Sequence, residues 1–365
     1  MSEPRPMGIA EGGGARRGLN AATGATASRG PISGHAASSG GRRPEPVSAP
    51  TIASQPLQHD GRPATRWLGA VVRTARPKQW VKNLLVFAAP GAAGVLTQSR
   101  DLAHAGEAFA VMCLVASGIY FLNDAADAES DRANPRTRNR PVASGLLRPL
   151  HAVAIGIALI AIGTGASPLV SLKLAIVVGV YVASSVAYVL WLRSEPVIDM
   201  AAVASGFVLR AIAGAVAVGV PISEWFLIVA TFGSLFMVSG KRLADVRTAP
   251  ASTGSRDERP ATRPSRPRYS TAFLQSVLVM SLSVTIAAYC LWAFENVKAS
   301  GGAHAGHAAL CYQLSIVPFS LAMLRYGFLV DQGEGGSPEE LAFGDGRLAA
   351  LAVVWLVIFA VGVYL

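Results

Sequence analysis

The sequence predicts an all-α polytopic membrane protein of nine transmembrane helices. Three observations lead there. Of the 365 residues, 52% are hydrophobic and 15% charged, with a mean hydropathy of +0.41, where a soluble domain carries about 25% charge. Apolar runs that approach or exceed about 18 residues recur along the chain. Lys and Arg gather on alternate connections between those runs.

Residues 1–65 are rich in Gly, Ala, Ser, Pro and Arg. Such a composition cannot bury a core, and a disordered basic arm is expected there. The membrane-embedded domain is expected over residues 66–365. Trp67, Leu68, Val71 and Val72 alternate with Arg66, Arg73 and Arg76, which reads as an amphipathic helix on the membrane surface. The first span, at about 79–97, is entered through Arg76-Pro77-Lys78-Gln79-Trp80-Val81-Lys82-Asn83. Pro77 suits a first helical turn and Trp80 the interface. Lys78, Lys82 and Asn83 would sit near one another on successive helical turns. They serve either as a positive-inside anchor or as a phosphate-binding helix start.

Further spans are predicted at about 106–125, 149–166, 169–191, 197–218, 222–241, 271–293, 307–329 and 347–365. Gly and Ala recur in spans three to six, as close helix packing in lipid requires. Cys113, Cys290 and Cys311 lie in or at the start of apolar runs and read as small packing residues. Residues 248–268, crowded with Pro, Ser, Thr and Arg, read as a flexible basic loop. The net charge of +10 is assigned to topology and anionic lipid rather than to nucleic acid. With the amino terminus in the cytoplasm, only Arg100, Lys173 and Lys298 fall on the outer side, and Arg210 lies inside span five. This predicts a multi-pass protein of the cell (inner) membrane with a cytoplasmic amino terminus. Homo-oligomerisation is left open.

The chemistry gathers at the end of span two, in Asn123-Asp124-Ala125-Ala126-Asp127-Ala128-Glu129-Ser130-Asp131. On a continuous helix Asn123, Asp127, Asp131 and Asp124 fall at about 0°, 40°, 80° and 100°, one face, with Glu129 on the other side. Hard oxygen ligands on one arc suit Mg²⁺, which takes few carboxylates and keeps water and substrate phosphate. The competing reading is a solvated helix end paired with the arginines that follow, Arg132, Arg136, Arg138 and Arg140. A second cluster ends span six: Gly240-Lys241-Arg242-Leu243-Ala244-Asp245. Two adjacent cations there suit phosphate, or anchor the helix. Asp199 opens span five, and Arg210 lies about three turns further in. A buried Arg calls for an ion pair or an anionic ligand.

The spacing Asn123-Asp124-x-x-Asp127-x-x-x-Asp131 resembles the first aspartate-rich motif of the UbiA-type intramembrane prenyltransferases. The stretch 76–83, Asn139-Arg140-Pro141 with Gly145, Asp199 with Gly206–Arg210, and Gly240-Lys241-Arg242 resemble one branch of that superfamily. That branch moves phosphoribosyl groups onto polyprenyl phosphates in actinobacterial cell-wall arabinan synthesis. The resemblance covers about residues 70–365 and implies a nine-helix UbiA-type bundle with a cytoplasmic-facing cavity. It implies phosphoribosyl pyrophosphate as donor and a polyprenyl phosphate such as decaprenyl phosphate as acceptor. Asn123, Asp124, Asp127 and Asp131 would then hold Mg²⁺ and the donor. Lys78, Lys82, Asn83, Arg138, Arg140, Lys241 and Arg242 would face donor phosphates, with Asp199 and Arg210 in the substrate site. The second acidic motif of ordinary members is reduced here to Asp245 beside two cations. A donor with an extra 5-phosphate would explain that exchange. Prenyl transfer to an aromatic acceptor and a polytopic transporter are the alternative readings.

Overall fold

The computed structural model describes residues 63–135, 137–247, 269–299, 305–333, 340–341 and 344–365. The basic loop expected at 248–268 and nearly all of the arm expected over 1–65 lie outside the described residues. Residues 63–65, assigned to the arm, form the first turn of helix α1 (Pro63–Ala75). Among the described residues the regular structure is helical throughout.

Among the described residues eight helices are long and apolar enough to cross a membrane. They are α3 (Ser99–Ala126), α5 (Pro149–Val170), α6 (Leu172–Leu190), α7 (Ile198–Val218), α8 (Glu224–Arg247), α9 (Thr271–Ala299), α10 (Ala305–Asp331) and α11 (Gly346–Tyr364). Two short helices complete the set, α2 (Ala88–Ala92) and α4 (Ala128–Ala133). Each long helix packs against the next along the chain. The predicted spans from 106 onward correspond to these eight, with ends shifted by a few residues.

The span predicted at 79–97 departs from expectation. It is no continuous α-helix but a 3-10 segment, Pro77–Phe87, running into α2. Pro77 sets its start, and Pro90, which has no N–H to give, lies in the short helix that follows. Non-α backbone survives at membrane depth only when buried in protein. Here the segment packs against α3 and α7. A Cβ added to Gly214 of α7 would lie 1.7 Å from the Val86 carbonyl oxygen, so only glycine admits the 3-10 backbone. Gly118 of α3 and Gly156 of α5 do the same for each other: a Cβ on Gly118 would sit 2.7 Å from the Gly156 carbonyl.

Three of the four apolar clusters among the described residues stabilise this frame around the site. Val86 joins Met112, Val115, Leu174, Val178 and Ala213. Phe121, Val142, Leu147 and Ala70 fix α1 and the 141–147 turn against α3. Phe236, Leu243, Leu274, Tyr326 and Leu329 bind α8, α9 and α10. Leu150, Leu169, Ile176 and Val353 are exposed, as lipid-facing positions of outer helices should be. Overpacking at the tightest contact should be felt directly. Gly214→Ala is expected to cost at least about 2 kcal/mol. It should lower the thermal midpoint of the detergent-solubilised protein, and an unchanged midpoint would refute the close approach of Val86.

Candidate active site

The acidic stretch does not continue α3 as a single helix. The helix ends at Ala126, and Asp127 (φ −92°, ψ 0°) forms a bend before α4. The backbone bonds carry across the bend: Asp127 N–H donates to Asn123 C=O at 2.8 Å, and Asp131 N–H to Asp127 C=O at 2.8 Å. The carboxylates nevertheless divide. Asp124 and Asp131 share Arg140, at 3.5 and 2.8 Å. Asp127 turns instead to Arg193, at 3.3 Å.

Each carboxylate is thus paired with an arginine, and among the pairs described here Arg140 comes from the basic run that follows the motif. Asp124, 3% exposed, also receives Arg76 at 2.5 Å. Arg76 is held in the left-handed region (φ 54°, ψ 57°), and its guanidinium lies 5.0 Å over the Tyr120 ring. Arg73 donates to the Asn139 carbonyl at 3.4 Å. Arg73, Arg76, Asp124, Asn139, Arg140 and Pro141 line a cavity of about 230 Å³. Three guanidiniums around one carboxylate give it a net positive lining that suits an anion.

Arg73, Arg76 and Arg193 were not singled out from the sequence as site residues. Arg76 had a signal: a residue before proline avoids the α region, which marks a break rather than a surface stripe. Arg193 had one too, since the short connection 192–196 lies on the same side as the motif.

The second cluster is linked to the first through this connection. Arg242 of α8 donates to Asp199 at 2.6 Å, and Asp199 is wholly buried. The Tyr269 hydroxyl donates to the other Asp199 oxygen and accepts the Val197 N–H, the latter at 2.8 Å. Val197 is β-branched and has φ 66°, a strained conformation. Arg76 and Val197 are the non-glycine residues with positive φ among those described, and both border the site. Asp199 and Arg242, expected at substrate, therefore bind each other. Lys241 is exposed beside them.

The expected row of Lys78, Lys82 and Asn83 is broken by the 3-10 geometry. With about three residues per turn, positions i and i+4 no longer share a face. Lys82 lies over Gln79, donating to its Oε1 at 2.5 Å. Lys78 is exposed, and Asn83 turns inward. Asn83 accepts Arg210 Nε at 2.6 Å and donates to Cys113 Sγ at 3.1 Å. Arg210 also donates to Gly206 C=O at 2.6 Å and to Tyr181 Oη at 2.7 Å, with Tyr181 and Phe207 rings against its guanidinium. The ion pair or anionic ligand expected for Arg210 is replaced by a nest of neutral acceptors and rings. Eleven residues, about 16 Å of helix, separate Asp199 from Arg210, so one phosphate cannot touch both. Arg138 is exposed in the turn before Arg140.

The donor set suits a hard divalent cation: Asn123 carboxamide and three carboxylates. Among the described residues no three acidic, His or Cys side chains converge as a metal cage. The residues fit an ion that takes one or two carboxylates and completes its shell with water and substrate phosphate, as Mg²⁺ does.

A bundle of membrane-spanning helices with an aspartate motif at one end defines a class. Residues 84–344 match the UbiA prenyltransferase family, and the chain belongs to it. Within the family the chain is similar to the decaprenyl-phosphate phosphoribosyltransferase of Corynebacterium glutamicum, 43% identical over 81% of this chain and 87% of the relative. It is likewise similar to that of Mycolicibacterium smegmatis, 38% identical over 86% and 98%. Its fold matches a UbiA homolog from Archaeoglobus fulgidus bound to DMAPP and Mg²⁺, with a TM-score of 0.57 and 15% identity over 80% of this chain and 97% of the other.

Tyr269 gives the site a pH signature. Partial burial and donation to Asp199 push its hydroxyl up to about 12. A raised folded-state pKa adds stability that is full below the unfolded value near 10 and is lost as pH rises through 12. Wild type should therefore exceed Tyr269→Phe in stability up to about pH 10, with the gap closing above it. Melting curves of both proteins across that range would show it, and a gap independent of pH would refute the bond to Asp199.

Proposed function

We infer that this protein transfers a 5-phosphoribosyl group from phosphoribosyl pyrophosphate to a polyprenyl phosphate. Pyrophosphate is released, and the product serves cell-wall arabinan precursor synthesis. The observation that carries this reading is the similarity to decaprenyl-phosphate phosphoribosyltransferases across four-fifths of the chain. The surplus of cations around a single acidic motif supports it, because a donor with a 5-phosphate needs more positive seats than a prenyl pyrophosphate. The Lys and Arg bias supports a cytoplasmic position for this end of the bundle, where a soluble sugar donor is found.

Asn123 and Asp127, with Asp124 or Asp131 in support, would hold Mg²⁺, which would supply positive charge to the leaving pyrophosphate. The ribose C1 becomes oxocarbenium-like as its bond to that group stretches. The lipid phosphate oxygen is anionic at neutral pH, so this chain supplies no strong base. The oxygen attacks from the opposite face and inverts C1. Arg138, Arg140, Lys241 and Arg242, with Lys78 or Lys82, hold the phosphates and fix the angle of attack. Asp199 and Tyr269 steady Arg242 for that task, and Asn83 and Arg210 steady the 3-10 segment that carries Lys78 and Lys82. Apolar faces between helices receive the prenyl chain, at about 0.8 kcal/mol per buried CH₂.

Membranes containing the protein should convert labelled phosphoribosyl pyrophosphate only when both polyprenyl phosphate and Mg²⁺ are present. Asp127→Ala should lower turnover at least about a hundredfold in protein that still folds, with a lower melting midpoint from the lost Arg193 pair. Turnover near wild type would remove its metal role. Lys241→Ala should raise KM for phosphoribosyl pyrophosphate much more than KM for the lipid, and equal effects would exclude a seat for donor phosphate.

A further inference from the structure

Every carboxylate expected to reach metal is already engaged by an arginine. Asp124 takes Arg76 and Arg140, Asp131 takes Arg140, and Asp127 takes Arg193. Their side chains are only 3%, 11% and 19% exposed. Adding a divalent cation alone would press positive charge against three guanidiniums and break charge-assisted bonds. Arg76 and Arg140 are more open, with side chains 29% and 34% exposed, and Arg193 is as open as its partner Asp127, at 18%. Arg76 and Arg140 line the 230 Å³ cavity. A guanidinium has five donors in a fork matched to phosphate, so each can pass from carboxylate to phosphate by a small side-chain movement.

We propose that Arg76 and Arg193 are two-state ligands. Without donor they latch Asp124 and Asp127; with donor they bind its polyphosphate and free those carboxylates for the metal. Metal and polyphosphate therefore enter as a coupled pair, each raising the affinity of the other by the same factor. Arg76 is built for this exchange: its backbone is fixed in the left-handed region, and its guanidinium packs on Tyr120 while its tip reaches Asp124. Arg193 comes from the short connection between α6 and α7 and reaches across to Asp127 with both terminal nitrogens, at 3.3–3.5 Å.

The proposal rests on the reading of Asp124 and Asp127 as metal ligands, and its test separates from the identity of the donor. The full chain in nanodiscs is titrated with Mn²⁺ alone, followed by electron paramagnetic resonance, and with labelled inorganic pyrophosphate in the presence of Mn²⁺. Inorganic pyrophosphate carries neither ribose nor prenyl group. Arg76→Gln and Arg193→Gln should each tighten Mn²⁺ binding in the absence of pyrophosphate by about tenfold, and weaken pyrophosphate binding by about as much. Arg76→Lys, which keeps the charge, should bind Mn²⁺ alone as wild type does. A merely structural role predicts the opposite for the metal, because a disordered site binds it less well. Unchanged or weaker Mn²⁺ binding in both glutamine variants overturns the latch. Wild-type Mn²⁺ binding that is as tight without pyrophosphate as with it does the same. Competition between phosphoribosyl pyrophosphate and geranyl pyrophosphate for the bound label tests the donor separately, so the latch can stand where that reading falls.

Discussion

Three carboxylates at the end of an apolar helix impose the constraint on which this structure rests. Removed from bulk water, each needs a cation or a ligand, and breaking a buried pair costs about 3–5 kcal/mol. The chain meets the need from separate segments. Arg76 comes from the junction before the 3-10 segment, Arg140 from the turn after α4, and Arg193 from the connection after α6. Each pairing draws another element to this end of the bundle. The site is thus also a joint of the fold.

Backbone chemistry gives the joint its shape. A membrane tolerates departures from the α-helix only where protein covers them, and here they occur where the site is built. The 3-10 segment is covered by α7 at Gly214. The bend at Asp127 directs one carboxylate away from its two neighbours. The strained Val197 is held by Tyr269, which in turn holds Asp199. Strain of about 1–3 kcal/mol per such residue persists only when surrounding contacts over-determine it. Those contacts are the Asp124 ion pair at Arg76 and the Tyr269 hydrogen bonds at Val197.

The arrangement shows where one family fold can vary around a common motif. An aspartate motif is common ground for any pyrophosphate bound through a metal. Specificity then depends on what surrounds it. Here Arg73, Arg76, Arg140 and Arg193 surround it on one side, and Lys241 with the tethered Arg242 stands at the end of α8. A guanidinium grips planar or tetrahedral oxyanions with a fixed fork, whereas a lysine is a mobile point charge. The mixture suits a ligand with phosphates at two ends.

The membrane helices, their number from α3 onward and the aspartate motif were legible in the sequence, because hydropathy over about 20 residues and residue spacing are local properties. So was the gathering of cations at one end, since each loop is read by its own charge. The partners of those charges were not. Arg193 lies 66 residues from Asp127, and Arg210 lies 127 from Asn83. Nothing in local pattern links residues so far apart. The 3-10 form of the first span was hidden for the same reason: its stability comes from Gly214 and α7, not from its own residues. By itself the sequence determined which long helices are apolar enough to enter the membrane and where acidic and basic residues lie along the chain. Only the tertiary structure decided which arginine neutralises which aspartate, because burial makes charges choose partners across the fold rather than along the chain.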